Sequence, residues 1–451
     1  MSSPIDSYLT SALNDARKDN SGELASYIDV LATADDSKLA AALATVDGNL
    51  YSVGDVNHEF SIQSISKAFV YALAIKDANL SHVLSKIGVE PSGDSFNKLS
   101  LQPGTNRPMN PMINAGAIAA HTLVSGNSME KRVDRILGEL SRLAGRELQV
   151  DEEVYQAELK DANRNMAIGY MLKAAGIISC DPQEAVSGYI RQCSIKVNVR
   201  DLAMMAATLA NRGIRPDTKE EIMPYESARQ VLSVMTTCGM YDATGDWISR
   251  VGIPAKSGVS GGIIGTLPGQ VGIAVFSPRL DHRGNSVRGL RIFEYLSSTM
   301  DLHMMDIIQV ARASLHTSKV NSEGGAMQDV RIFSLRSAVR FVGSERLTRA
   351  IMSELNPSPV VPGFGQHTNA CAIILSFQDA YSLNAIAHQI ISDNIRLLLE
   401  NKKNFVVIDP GKVLKIEGNP AFISKSPVVV ESQDEAFGKI WGESHKVVAG
   451  H

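Results

Sequence analysis

The sequence lacks the features that mark several large classes of protein. Its 451 residues include four cysteines, Cys180, Cys193, Cys238 and Cys371, none of which forms a CxxC pair. That excludes the usual zinc-ribbon and thioredoxin-type motifs. Thiols scattered in this way read as buried and unpaired in a reducing compartment. The ten histidines show no HExxH or similar ligand spacing, so no metal is expected. No uninterrupted apolar run is long enough to cross a bilayer. The opening "MSSPIDSYLTSALNDARKDN" is too polar and too mixed in charge for a signal peptide, so a cytoplasmic protein is expected. Net charge is −4 with no basic stripe, which argues against nucleic acid as a partner.

What remains is an ordinary globular composition, 44% hydrophobic and 20% charged. The length exceeds what one core usually fills, so two domains are expected. "LAAALATVDGNLYSVGD" (39–55) reads as two strands about an Asp47-Gly48 turn. "SISKAFVYALAIKDA" reads as a helix, and residues from about 112 to 250 are mostly helical in periodicity. "KSGVSGGIIGTLPGQVGIAVFSP" (256–278) reads as strands and tight turns. Strands early, helices in the middle and strands again predict one sheet assembled from both ends, with a helical lobe. The polar stretch "HTSKVNSEGGAMQD" (316–329) reads as linker. Alternating strands and helices follow, which predicts a small α/β domain. The expected boundaries are 1–312, a linker at 313–329, and 330–451.

The chemistry centres on "FSIQSISKAF" (60–69), where Ser64 stands three residues ahead of Lys67. If Ser64 opens a helix, the two side chains share a face. Burial lowers a lysine pKa, so a buried Lys67 could take the serine proton. Ser-x-x-Lys alone is weak, and a capping serine beside a solvated lysine is the ordinary outcome. Two features favour chemistry. Phe69, Val70, Ala72 and Leu73 mark a buried helix, where an unpaired lysine is costly. Lys256-Ser257-Gly258 downstream supplies the Lys-Ser-Gly element that accompanies such serines in acylases. A rival, "GVSGG" (258–262), matches G-x-S-x-G, but that elbow requires a helix next, and β-like residues follow.

Further stretches resemble one family. "EPSGDSFNKL", "RPMNPMINAGAI", "RNMAIGYML", "LANRG", "MYDATGDW" and "GNSVRG" are similar to the serine-dependent glutaminases. With "QSISK" and "KSGVSGG" they span nearly all of residues 20 to 305 in family order. The resemblance implies a β-lactamase/penicillin-binding type of fold, an antiparallel sheet flanked by helices with a helical lobe. It implies hydrolysis of L-glutamine to L-glutamate and ammonia without metal or organic cofactor. Carried over by position, it makes Ser64 the nucleophile and Lys67 its activating partner, with Tyr241 against the nucleophile and Tyr27 near the scissile amide. It makes Asn114, Glu158, Asn165, Tyr189 and Tyr241 substrate-binding residues. It gives Val259 a backbone N–H that joins that of Ser64 in an oxyanion hole. Two positions depart from the family pattern: Asp29 replaces a proline and Ala157 a serine. Homodimers or tetramers are the implied assemblies.

Read without the family, Tyr27 and Tyr189 are boundary tyrosines, Asn114 a helix cap, and Glu158 and Asn165 helix-face residues. Lys256 is then a surface lysine; within an acylase it becomes an electrostatic neighbour of the oxyanion hole. "ACAIILSFQDAYSLNAIAHQI" (370–390) resembles the STAS (anti-sigma-factor antagonist-like) module sometimes appended to these enzymes. There Ser382 sits where the module often has a phosphorylatable serine, and a plain N-cap is the expected role. Two rival functions stand beside glutamine hydrolysis: a penicillin-binding or β-lactamase type acylase, and a non-catalytic sensor acting through the C-terminal module.

Overall fold

The computed structural model describes residues 3–26, 28–93, 95–306, 315–321, 329–356, 370–416, 422 and 425–441. The chain divides into two units, one of residues 8–298 and 302–304, the other of residues 1–7, 299–301 and 305–451.

In the first unit β1 (Ala40–Thr45) and β2 (Leu50–Gly54) form the hairpin expected about Asp47-Gly48, with Ala44 opposite Leu50. Gly48 has φ +97°, a conformation that costs glycine little and other residues more. β3 (Phe60–Ser61) and β4 (Lys196–Val197) make a separate two-stranded ribbon. β5 (Ala255–Ser257), β6 (Gly262–Leu267) and β7 (Val271–Phe276) return to the first sheet, whose order is β2-β1-β7-β6-β5 and which is antiparallel throughout. The sheet is therefore assembled from both ends of a long helical insertion.

Small residues let a helix lie close on this sheet. β1 is mostly alanine, and Val199–Ala210 packs across it. A Cβ on Gly272 of β7 would meet Ala207 N at 2.1 Å. Between the two strand sets run the helices of the lobe, with Ser66–Ala78 at their centre. Ser66 to Ile75 are all buried, and the helix packs against Asn114–Leu123 and Tyr225–Cys238. After Ser260 the chain enters β6, so the G-x-S-x-G segment has no elbow helix.

In the second unit the sheet order is β12-β11-β10-β9-β8. β8 (Leu315–Asn321) pairs antiparallel with β9 (Asp329–Val339), so a strand occupies part of the segment read as linker. Most of its residues are polar, with Leu315 and Val320 partly buried against the two cores of the unit, and an edge strand needs no fully buried face. β10 (Ala372–Leu383), β11 (Phe405–Ile408) and β12 (Val429–Val430) continue the sheet in parallel, with helices Phe341–Leu355 and Ala385–Glu400 between strands. Ser382 is not the N-cap: it is an exposed residue of β10, and Asn384 Oδ1 caps the next helix by accepting from Ala387 N at 3.0 Å.

All four cysteines are free, but only Cys193 is buried; Cys180 and Cys238 are half-buried and Cys371 is exposed. Among the described residues no helix is long and apolar enough to cross a membrane.

Candidate active site

Ser64 lies in a 3₁₀ turn, Gln63–Ile65, which runs directly into the α-helix Ser66–Ala78. Gln63 has φ +49°, a strained choice for a residue with a Cβ. Gln63 and Ser64 both line a cavity of about 210 Å³. Lys67, in the first turn of the helix, is 1% exposed.

The partners of Lys67 come from a segment built to hold its shape. Asn110 Oδ1 accepts from Met112 N and Ile113 N, and a Cβ on Gly116 would meet Asn110 O at 1.9 Å. The residue pattern Asn-Pro-x-x-Asn-Ala-Gly is thus a tight entry into helix Asn114–Leu123. At its first position Asn114 Oδ1 accepts from Lys67 Nζ at 2.7 Å and from Tyr189 OH at 3.3 Å. Asn114 Nδ2 donates to Asn165 Oδ1 at 2.9 Å, and Met112 O accepts a second bond from Lys67 Nζ at 3.2 Å. The rings of Phe96 and Tyr189 lie 5.8 and 5.9 Å from the ammonium nitrogen.

Glu158, near the end of helix Glu152–Lys160, lines the same cavity with Asn165, Tyr189 and Val259. Gln63 Nε2 donates to Glu158 Oε2 at 3.4 Å. Val259 follows β5 in a tight turn in which Gly258 N donates to Gly262 O at 2.9 Å. Gly258 lets that turn approach the turn that carries Ser64: a Cβ there would be 3.1 Å from Ile62 O and 3.3 Å from Ile65 Cγ1.

Tyr241 occupies a 3₁₀ turn with φ +50°, the same strained region as Gln63. Its ring is held between the ring of Phe96 at 4.8 Å and Lys256 Nζ at 4.3 Å. Its hydroxyl is near enough to Ser64 for the serine to lower its pKa, in a geometry short of a formed hydrogen bond. Lys256 is fully buried, not a surface residue, and donates to Ser257 O at 2.7 Å.

Burial dominates the titration of these groups. It brings Lys67 down to about 8, opposed by Cys193 and Glu158. It pushes Glu158 up to about 7, opposed by the Gln63 hydrogen bond and by Lys67. Burial, with the charge of Lys67, holds Lys256 well below the usual lysine range. Burial raises Tyr241 and Tyr189, so both keep their protons at neutral pH. Among these groups, Lys67 combines a pKa of about 8 with a position one turn along the chain from Ser64.

Eight of the nine residues carried over by resemblance converge on this one site. The ninth, Tyr27, falls outside the described residues, although Ile28 beside it lines the cavity. Gln63 and Phe96 were not singled out from sequence. Both lie inside quoted motifs, and the position of Gln63 immediately before the serine was the available signal.

A family model for glutaminases matches residues 22–305. A glutaminase of Corynebacterium efficiens is 42% identical over 413 residues, which cover 91% of this chain and 93% of the relative. One from Corynebacterium glutamicum is 43% identical over the same length, covering 91% and 95%. The crystal structure of Mglu superposes with TM-score 0.68 at 40% identity, covering 92% of this chain and all of that one. A probable glutaminase from Bacillus subtilis, complexed with 6-diazo-5-oxo-L-norleucine, superposes with TM-score 0.60 at 30% identity, covering 66% and 94%. With a family model spanning well over half its length and relatives matched nearly end to end, the chain belongs to the glutaminase family.

Proposed function

We propose that this glutaminase hydrolyses L-glutamine to L-glutamate and ammonia through a glutamyl ester on Ser64. The observation that carries the reading is a buried lysine of pKa about 8 one turn from a serine that opens onto the cavity. Glu158 suits the substrate ammonium, and Asn165 and Tyr189 suit its carboxylate and amide. The Ser64 oxygen bonds to the carboxamide carbon while the C–N bond breaks. The serine proton passes by way of Lys67, with Tyr241 as a proton-bearing neighbour, to the departing ammonia. Water then adds its hydroxyl to the acyl carbon and returns a proton to Ser64. The N–H groups of Ser64 and Val259 receive the oxyanion.

The test is ammonia release by wild type and Ser64→Ala, together with mass mapping of the 6-diazo-5-oxo-L-norleucine adduct. The tag should sit on Ser64 and turnover should vanish in the variant. A tag on another side chain would overturn the assignment. Nitrocefin turnover in place of ammonia release would favour the β-lactamase type of acylase. The parallel strands and intervening helices of the C-terminal unit support its reading as a STAS-like module. Its regulatory role, a homo-oligomeric state and a cytoplasmic location belong to the same proposal and rest on the sequence and its resemblance alone.

A further inference from the structure

The helices that carry Lys67, Asn114 and Tyr189 are joined a second time by groups that do not line the cavity. Ser66 adjoins Lys67, His121 lies two turns beyond Asn114, and Gln192 lies one turn beyond Tyr189; all three are fully buried. His121 Nδ1 is 2.9 Å from Gln192 Oε1, and Gln192 Nε2 donates to Ser66 Oγ at 3.3 Å. Ser66 Oγ is 3.8 Å from Cys193 Sγ. A Cβ on Gly188 would meet His121 Nε2 at 2.3 Å, so glycine is what allows the imidazole against this helix. The amide oxygen of Gln192 can only accept, so Nδ1 of a neutral His121 carries the proton. Each helix thus gives one group to the site and at least one to this lower layer.

We propose that Gln192, with His121, is a positioning residue for amide hydrolysis: the buried chain Ser66–Gln192–His121 fixes the register of three helices and thereby the Lys67–Asn114–Tyr189 cluster. The upper cluster meets at one atom, Asn114 Oδ1, so a small slide of any helix breaks it. Apolar packing sets the spacing of helices, whereas hydrogen bonds of fixed direction also set their register. Burying three polar side chains costs desolvation, which apolar residues of the same size would avoid. Stability alone gives no reason to keep them. Registry of the site does.

The inference rests on the proposed role of Lys67, and its test reads glutamine turnover in the full-length protein. Gln192→Met should lower kcat ~10-fold or more while KM stays within about threefold, because a misplaced reacting group costs rate without removing the substrate contacts. It also strips partners from His121 and Ser66, so Tm should fall. Ile118→Val, on the same helix as His121 and equally buried, removes stability without touching the chain and should leave kcat unchanged. Ser66→Ala breaks one link and should lower kcat by a smaller factor, again with KM held. Gln192→Glu keeps both contacts, with Ser66 Oγ–H now donating, and should recover most of the lost kcat. A folded Gln192→Met with kcat within about twofold of wild type overturns the proposal, as does a matching loss in Ile118→Val at equal change in Tm. A diazo-ketone tag away from Ser64 in wild type would instead overturn the nucleophile assignment and leave helix registry readable from kcat.

Discussion

Lys67 Nζ and Asn114 Oδ1 are 2.7 Å apart, and both are buried. An amide oxygen in that place accepts a hydrogen bond without adding a charge, so burial is free to keep Lys67 near 8. Asn114→Asp would put a carboxylate there and favour the ammonium, moving Lys67 up by roughly 1–3 units. The limb of kcat/KM that rises with pH should shift upward accordingly, and activity at pH 7 should drop about 10-fold or more. A profile unmoved by the substitution would show that the limb belongs to another group.

The same burial makes Lys67 a cost to the fold. Its folded pKa of about 8 is below the ordinary lysine value of 10.5, so the unfolded chain binds the extra proton and stability rises with pH between these values. Below pH 8 the full cost applies, about 3 kcal/mol as an upper bound. Lys67→Met should therefore be inactive yet melt at a higher temperature than wild type at pH 7. That advantage should shrink as pH rises from 8 toward 10.5. Thermal melts at pH 7 and pH 10 decide it; a variant that melts lower at both would contradict this account.

Much of this arrangement was legible in the sequence because it rests on local patterns. The Asp47-Gly48 turn signal pointed to the hairpin, and the apolar run after Lys67 announced a buried lysine. The glycine-punctuated run from Lys256 gave strands rather than an elbow. What was hidden depends on long-range contact. Taken alone Lys256 reads as a surface lysine, and only the Lys-Ser-Gly element makes it a neighbour of the site; nothing local reveals the ring of Tyr241 packed on its amine. β8 looked like linker because its pairing with β9 makes no demand on side-chain periodicity. Asn384 rather than Ser382 caps its helix because β10 runs further than its apolar core suggests. The positive φ of Gln63 and Tyr241 has no sequence signature either, since turns that need it usually carry glycine.

Glu158 should report substrate binding through its proton. Held at about 7 by burial, it is partly protonated at neutral pH, and a substrate ammonium beside it favours the carboxylate. Glutamine binding to Ser64→Ala near pH 6.5 should release protons, seen as a calorimetric enthalpy that changes with the ionisation enthalpy of the buffer. In wild type KM should fall as pH rises through about 7. Gln63→Ala removes the hydrogen bond that lowers Glu158 and should carry the KM transition to higher pH. Buffer-independent heats would rule out Glu158 as the ammonium partner.

Gly258 offers a way to move the proposed oxyanion donor, the Val259 N–H, without changing any side chain in the cavity. Its Cβ position faces Ile62 O at 3.1 Å and Ile65 Cγ1 at 3.3 Å, tighter than ordinary van der Waals contact. Gly258→Ala must push the turn bearing Val259 away from the turn bearing Ser64 by a few tenths of an ångström. Hydrogen bonds weaken as they lengthen and bend, and loss of one oxyanion donor costs ~10²–10³ in turnover. The expected result is a kcat lowered by about 10-fold or more, short of full loss of the donor, with KM little changed because Glu158, Asn165 and Tyr189 stay in place. Since the contact meets backbone, relaxation cannot come from a side-chain rotation alone. A Gly258→Ala enzyme with wild-type kcat would mean that the Val259 N–H does not hold the oxyanion.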